Sequence, residues 1–538
     1  MEQERISVPA LNQFAKDYIS GSEQTAPYFD YHPFQQADYA ARSAELQTRI
    51  FQRGELARII RDYMRPFQIT DETERSLAKL QDEKSVVVIG GQQAGLLTGP
   101  LYSIHKIISI LQFAAVKEKE LGIPVVPVFW IAGEDHDLLE INHVYVEKEG
   151  RMEKMGYPER FVKKQMASET VYDHDVMEKW ITSIFSCMQE TIHTNALLQD
   201  VRKAAREQET FTAFFAQLTQ TLFSRYGLLL IDAAEPALRK LEAPFFKRLI
   251  IENKPLAECV ARSQEKVKKA GYTPAIETGE QPAHLFLNED GERRLLERDG
   301  RTFRSKSGRA YSEQELLQLL ETSPQLFSNN VVTRPLMQEW VFPTLAFIAG
   351  PGEIAYWAEL KEAFHYFDMN MPPIVPRVNI TFVERSIAGA ASDIGLSIEQ
   401  IVQSGVKRKK EAYIESVRDQ HLHELAAEMK ETLFANYEKI ERRANELHRG
   451  LIPIVEKNKE YHERQIDFLI QKSDAVLKQT HAAALLRFDR VEAALHPGGP
   501  QERIWNLYTF LNTYGKVFIE DLVKQPFDHN GDHYLIFI

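Results

Sequence analysis

Ser85-Val-Val-Val-Ile-Gly90 runs into Gly91-Gln-Gln-Ala-Gly95-Leu-Leu-Thr98-Gly99-Pro100 and then Leu101-Tyr-Ser-Ile-His105-Lys106-Ile-Ile-Ser-Ile-Leu111, followed by Pro124-Val-Val-Pro-Val-Phe-Trp130-Ile131. The first and last of these are continuous apolar, β-branched runs, the pattern of strands buried on both faces. Between them lie a glycine-rich loop and an apolar-periodic helix. The stretch predicts a β-loop-α-β unit and hence an α/β fold built on a parallel sheet. Polar residues gather where each strand ends, in the glycine loop and in Gly133-Glu134-Asp135-His136-Asp137. Open parallel sheets bind their ligands at that edge.

Outward from this unit, Leu228-Leu-Leu-Ile-Asp232 repeats the buried-strand texture, and Phe347-Ile-Ala-Gly350-Pro351-Gly352-Glu353 reads as a short strand and turn. A helix is expected over Gln338–Ala346, another over Ile354–Phe364, and Pro373–Phe382 is expected to be the last strand of the sheet. The predicted organisation is an N-terminal helical segment (1–80), the first half of the core (81–145), a helical insertion (146–225) and a core continuation (226–282). A β-hairpin insertion (283–327), with turn signals at Asn288-Glu-Asp-Gly291 and Arg298-Asp-Gly300, precedes the second half of the core (328–397). Apolar residues then step by three and four from Leu425 to Leu447 and from His462 to Ala483, interrupted by Gly450-Leu-Ile-Pro453. They predict an antiparallel helical arm (398–486), whose narrow apolar seam favours a homodimer. A self-contained hairpin is the alternative. Residues 487–538 form a C-terminal segment expected to return to the core.

The 538 residues exceed one compact core, and 44% hydrophobic with 26% charged content is that of an ordinary globular protein. A net charge of −12 argues against nucleic-acid or membrane partners. The two cysteines, Cys187 and Cys259, lack any zinc or disulfide spacing. With no secretory leader pattern and no membrane-length apolar run, the expected location is the cytoplasm.

Three groups of residues carry candidate chemistry. Gly91, Gln92, Gln93, Gly95, Thr98 and Gly99 form a loop whose backbone N–H groups suit a phosphate at a helix amino end. It is neither a Walker A loop nor a dinucleotide fingerprint, and a tight turn without a ligand is the bland alternative. His105 and Lys106 lie on the following helix. Glu134, Asp135, His136 and Asp137 directly follow an apolar strand. Such a cluster needs a cation, a metal or a proton-transfer role, unless it is a solvated turn capping the next helix. Asn142 and Asp232 lie at the same edge. Arg334 with Gln338, Gly350, Gly352 and Glu353 with Tyr356, and Arg377 form the third group, in which arginines suit carboxylates and phosphates. Ser305-Lys306-Ser307-Gly308 is superficially like the mobile lysine loop of class I synthetases, but it lies among hairpins.

With these motifs assembled, the chain resembles the BshC family of bacillithiol biosynthesis, the cysteine ligases of low-GC Gram-positive bacteria. The resemblance rests on Gly91–Lys106, Pro127-Val-Phe-Trp-Ile-Ala-Gly-Glu-Asp-His-Asp137, Arg334-Pro-Leu, Gly350-Pro-Gly-Glu-Ile-Ala-Tyr356 and His496-Pro-Gly-Gly-Pro-Gln-Glu-Arg503. It implies a Rossmann-like core of class I synthetase and nucleotidyltransferase type, with inserted connecting elements and a dimerising coiled-coil arm. It further implies ATP-dependent amide formation between cysteine and glucosaminyl-malate, the last step of bacillithiol synthesis. On that basis phosphates would sit at Gly91–Gly99 with His105 or Lys106. Glu134, Asp135 and Asp137 would bind the cysteine ammonium or Mg²⁺, or deprotonate the attacking amine. Arg334 or Arg377 would hold the malate carboxylates. The family often has histidine where this chain has Gln92, so no imidazole role carries over there. Adenylate and acyl-phosphate routes both stay open, as do another carboxylate-activating ligase on this core and a non-catalytic coiled-coil scaffold.

Overall fold

The computed structural model describes residues 1–161, 163–277, 279 and 281–538. They divide into two units. One comprises residues 1–148, 152–383 and 500–538, the other 149–151 and 384–499.

The first unit is built on five strands: β1 (Val86–Gln92), β2 (Val125–Ile131), β3 (Leu229–Asp232), β4 (Thr344–Ala349) and β5 (Ile374–Pro376). Their order is β5-β4-β1-β2-β3, every neighbouring pair parallel, which is the parallel sheet that the apolar runs predict and the Rossmann-like core that the resemblance implies. β2 and β4 are buried along their whole length and β1 all but its last residue. Their residues have apolar side chains for both faces, so helices can cover the sheet on each side. The chain winds from β1 through β2 to β3 in one direction and then places β4 on the other side of β1. The order therefore reverses between β1 and β4, and a crevice opens at their carboxyl ends. Helix α1 (Leu101–Leu121), which follows β1, packs on β1 and β2.

A second sheet holds Pro282–Glu289, Glu292–Asp299, Thr302–Ser305, Ala310–Ser312 and Phe327–Asn329, all antiparallel. Asp290 and Gly291 at φ +56° and +78° form the tight turn expected at Asn288–Gly291.

Five expectations are corrected. Helix α2 (Thr333–Val341) stops before Pro343, which has no N–H to continue the ladder, and Thr344–Ala346 belongs to β4 rather than to a helix through Ala346. The helix expected over Ile354–Phe364 is two, α3 (Pro351–Trp357) and Lys361–Tyr366. The segment Pro373–Phe382 is split between two sheets. After β5, Arg377 N–H still donates to Ala349 C=O, but Val378 N–H turns to Ser109 Oγ, and Asn379–Val383 pairs in parallel with His533–Phe537. That tail strand in turn pairs antiparallel with Glu2–Ile6, a strand in a region expected to be helical. Finally, Arg151–Gly156 and the second half of His143–Lys148 are strands in the insertion (146–225) expected to be helical.

In the second unit, α4 (Gln420–Leu447) and α5 (Ile452–Thr480) form an antiparallel hairpin, with Pro453 in the first turn of α5. Lys430 pairs with Asp467 and the Tyr437 hydroxyl meets His462 Nδ1 at 2.7 Å, contacts whose descending partner numbers fix the antiparallel sense.

Candidate functional site

A cleft of about 1140 Å³ lies at the carboxyl edge of the parallel sheet. Gly91, Gln92 and Gln93 after β1, Glu134–His136 after β2 and Gly350–Glu353 after β4 line it, with Arg334 from α2 and Arg377 after β5. Gly91 is glycine because a Cβ there would stand 2.9 Å from Trp130 C=O and 3.4 Å from Arg334 Nη1.

Lys106 reaches the cleft floor from α1. Its buried Nζ donates to Gly91 C=O at 2.7 Å and Gln92 Oε1 at 3.2 Å and forms an ion pair with Glu353. Burial pushes its pKa down and Glu353 opposes that. The other Glu353 contact is Gly350 N–H, at 2.7 Å, so this carboxylate ties the lysine to the start of α3. Arg334 donates to the Tyr356 hydroxyl and makes no ion pair among the described residues. Burial pushes the Tyr356 phenol up to about 12, so it stays protonated.

Arg377 is fixed from the tail of the chain. Its guanidinium donates in bidentate fashion to Glu502, at 2.8 and 2.6 Å, and to Asn379 Oδ1 at 2.9 Å. Burial alone would raise the Glu502 pKa, but the charge of Arg377 and bonds from Arg377 and His105 outweigh it and hold the carboxyl far below its usual range. Arg503, exposed at the cleft, has no carboxylate partner among the described residues. One end of the cleft is therefore rich in cations.

The other end is acidic. The Gln93 amide donates 2.7 Å bonds to both Asp135 Oδ2 and Glu140 Oε2. Asp135 also accepts from His136 N–H at 2.7 Å. Desolvation pushes its pKa up, but these bonds and the nearby Arg293 charge bring it below the usual value. His136 lies at 3.1 Å from Arg293 through Nδ1. A guanidinium can only donate, so Nδ1 accepts and Nε2 carries the ring proton. Burial, followed by the Arg293 charge, lowers the imidazole pKa. His136 thus faces ligands as a neutral donor.

Several predicted residues sit elsewhere. Glu134 borders the cleft but is held in an ion pair with buried Arg239 and accepts from Asn329 N–H at 3.1 Å. Asp137 is exposed and caps the short helix Leu138–Ile141. His105 is fully buried on the far face of α1, its Nδ1 3.3 Å from Glu502 Oε2. Gly95, Thr98 and Gly99 fold onto one another instead of forming an open cradle. A Cβ on Gly95 would stand 2.6 Å from Gly99 Cα, and Asn506 Nδ2 donates to both Leu97 C=O and Gly99 C=O at 2.8 Å. Asp232 is buried behind the Gly133 turn, bound to the Ser168 hydroxyl, and burial lifts its carboxyl to about 6. Asn142 and Gln338 are buried outside the cleft lining.

Asn329 was not among the predicted site residues. It is buried at the cleft wall, and neither atom of its amide has a partner among the described residues. Arg293, stacked 3.7 Å over Phe286, and Glu502 were missed as well. Only Glu502 had a signal in the sequence, its place in the quoted Gln501-Glu502-Arg503 motif. No group of three or more His, Cys, Asp and Glu placed to hold a metal ion occurs among the described residues, and no described helix is long and apolar enough to cross a membrane.

Residues 1–378 match the N-terminal Rossmann-like domain of bacillithiol biosynthesis BshC, and residues 380–538 match its C-terminal coiled-coil domain. The chain belongs to the BshC family. Relatives from Bacillus licheniformis and Bacillus cytotoxicus, each named "Putative cysteine ligase BshC", are 41% and 43% identical over 538 residues, covering all of both chains. One of the same name from Geobacillus kaustophilus is 41% identical over 542 residues, again at full coverage. The BshC domain boundary falls between Arg377 and Glu502, yet the two meet at 2.6 Å, and residues 500–538 pack in the first unit. In this member of the BshC family, the coiled-coil domain supplies part of the cleft.

Proposed function

We propose that the chain is an ATP-dependent ligase that joins cysteine to the amine of glucosaminyl-malate, completing bacillithiol. The observation that carries this is the charge division of the cleft. Arg334, Arg503 and the tethered Lys106 and Arg377 suit the phosphates of a nucleotide and the malate carboxylates. Asp135 and Glu140, joined by Gln93, suit the ammonium of cysteine. The relatives' shared name, "Putative cysteine ligase BshC", supports cysteine as one substrate.

A carboxylate does not acylate an amine unaided. In the reaction proposed, the cysteine carboxylate attacks ATP, releasing pyrophosphate to give the acyl-adenylate or ADP to give the acyl-phosphate. The glucosamine nitrogen then attacks the acyl carbon, loses a proton and expels AMP or phosphate. His136 Nε2–H and the Asn329 amide, neutral groups of the cleft lining, would orient these substrates. Mg²⁺ would enter on the phosphates, which suits an ion that keeps much of its water. A homodimer through the arm belongs to the same proposal, because Leu425, Met429, Leu447, Phe468, Leu469 and Val476 leave apolar surface exposed on α4 and α5.

Purified protein given ATP, cysteine and glucosaminyl-malate should form bacillithiol by mass spectrometry, with AMP or ADP identifying the route. Product formation that is indifferent to cysteine would refute the proposal.

A further inference from the structure

A second cavity, of about 420 Å³, lies where the antiparallel sheet meets the helix Asn253–Lys269. Asn253, His284 and Arg298 border it, flanked by the apolar Ala257, Val260 and Pro282. The first three each leave one polar atom buried and without a partner among the described residues: Asn253 Oδ1, His284 Nε2 and Arg298 Nη1.

The sense of each group is fixed by its other contacts. Asn253 Nδ2 donates to Ala283 C=O at 2.6 Å, leaving Oδ1 as a free acceptor. Asn330 Oδ1 accepts from Val332 N–H at 2.9 Å, so its amide NH₂ points at His284 Nδ1, 3.2 Å away. His284 Nδ1 is then an acceptor and Nε2–H an idle donor. Burial lowers the His284 pKa to about 4, which keeps the ring neutral. Arg298 donates through Nε to Gly300 C=O at 2.9 Å and makes no ion pair among the described residues. His284 also stands at φ +55°, a left-handed conformation uncommon outside glycine. Unpartnered buried polar groups are costly, and these three belong to residues that border one cavity, whose lining also includes Lys254 and Glu258.

We infer that this cavity is a second binding site, separate from the cleft, for a compact carboxylic acid that also carries a hydroxyl or ammonium donor. The carboxylate would lie on Arg298 and His284 Nε2–H, and the donor would face Asn253 Oδ1. This inference does not depend on the proposed ligase activity.

L-Malate, which has both groups, is the probe. Calorimetric titration of the full chain carrying Arg334→Ala, which removes the cleft's unpaired guanidinium, should retain one malate site. Adding Arg298→Ala should weaken that site at least tenfold. His284→Asn should weaken it at least threefold, because asparagine tolerates the left-handed backbone and keeps an acceptor for Asn330 but has no counterpart of Nε2–H at the cavity. The inference is overturned if Arg298→Ala and His284→Asn bind malate as the parent does. It is equally overturned if Arg334→Ala alone abolishes binding, or if inorganic phosphate displaces malate at equal concentration.

Discussion

Replacing Glu502 with alanine tests whether the tail truly sets the arginine of the cleft. In the native protein Glu502 accepts both forks of Arg377 and is the partner of His105 Nδ1. Its loss leaves a buried guanidinium whose remaining hydrogen bonds among the described residues go to the neutral oxygens of Val378 and Asn379, at 3.2 and 2.9 Å. Removing one member of a buried ion pair costs roughly 3–5 kcal/mol, because the remaining charge stays desolvated and unpaired. That is a large share of a typical folding free energy of about 5–15 kcal/mol. Urea titrations at pH 7, followed by circular dichroism and tryptophan fluorescence, should show it. Replacing both residues with methionine should recover most of the loss, since an apolar pair carries no desolvation cost. The pH dependence has a definite sign. Glu502 is held below its unfolded value of about 4.3, so its contribution is complete above that pH and is lost as pH falls further. The gap between wild type and Glu502→Gln should therefore narrow below pH 4. A Glu502→Ala protein within about 1 kcal/mol of wild type, or a double variant as unstable as the single one, would refute the reasoning.

Gly133→Ala would drive its Cβ into Ser168 Oγ and Asp232 Oδ1, and should destabilise the protein by about 1–3 kcal/mol in thermal melts; an unchanged melt would show that this turn can shift. Glu242 shares Arg239 with Glu134, and burial raises its carboxyl to about 7. Between pH 4.3 and 7 the folded state holds a proton that the unfolded state has lost, so stability should fall as pH rises through that window. Glu242→Gln should flatten this slope and stabilise the protein at pH 8 by on the order of 1–3 kcal/mol, and a slope unaltered by the substitution would contradict it. For Arg334→Ala, loss of a charged hydrogen-bond donor worth about 1.5–3 kcal/mol should lower kcat/KM for the proposed ligation by roughly 10–100-fold; steady-state assays reveal it, and full activity would remove Arg334 from the site. Charged substitutions at Leu425 and Phe468 should convert the proposed dimer to monomer by light scattering, whereas a mass that does not change would leave the arm unpartnered.

The parallel core was readable because β1, β2 and β3 carry continuous apolar runs, which only a doubly covered sheet accommodates. The split at Arg377 was not. Asn379–Val383 reads like a continuation of β5, and the strand that captures it lies more than a hundred residues later. The candidate site divides in the same way. Gln93, Asp135, Arg334 and Glu353 were found because they stand at strand ends or glycine turns. Asn329 and Arg293 come from a hairpin sheet whose docking against the cleft no local pattern reports. Within the glycine loop, Gly95 and Gly99 pack closely against each other, a use of glycine that resembles a phosphate cradle in sequence.

The pairing of Arg377 with Glu502 also imposes an order in time. The two are 125 residues apart, and the helical arm is made between them. At about 5–20 residues per second, a ribosome needs roughly 6–25 s to pass from one to the other. For that interval the arginine of the nascent chain lacks its bidentate partner, and the strand that follows it lacks the strand it joins. The arm, whose contacts are local, can form meanwhile. The cleft is consequently among the last parts of the molecule to be assembled, and a chain interrupted before Glu502 would have a folded arm but an unfinished pocket.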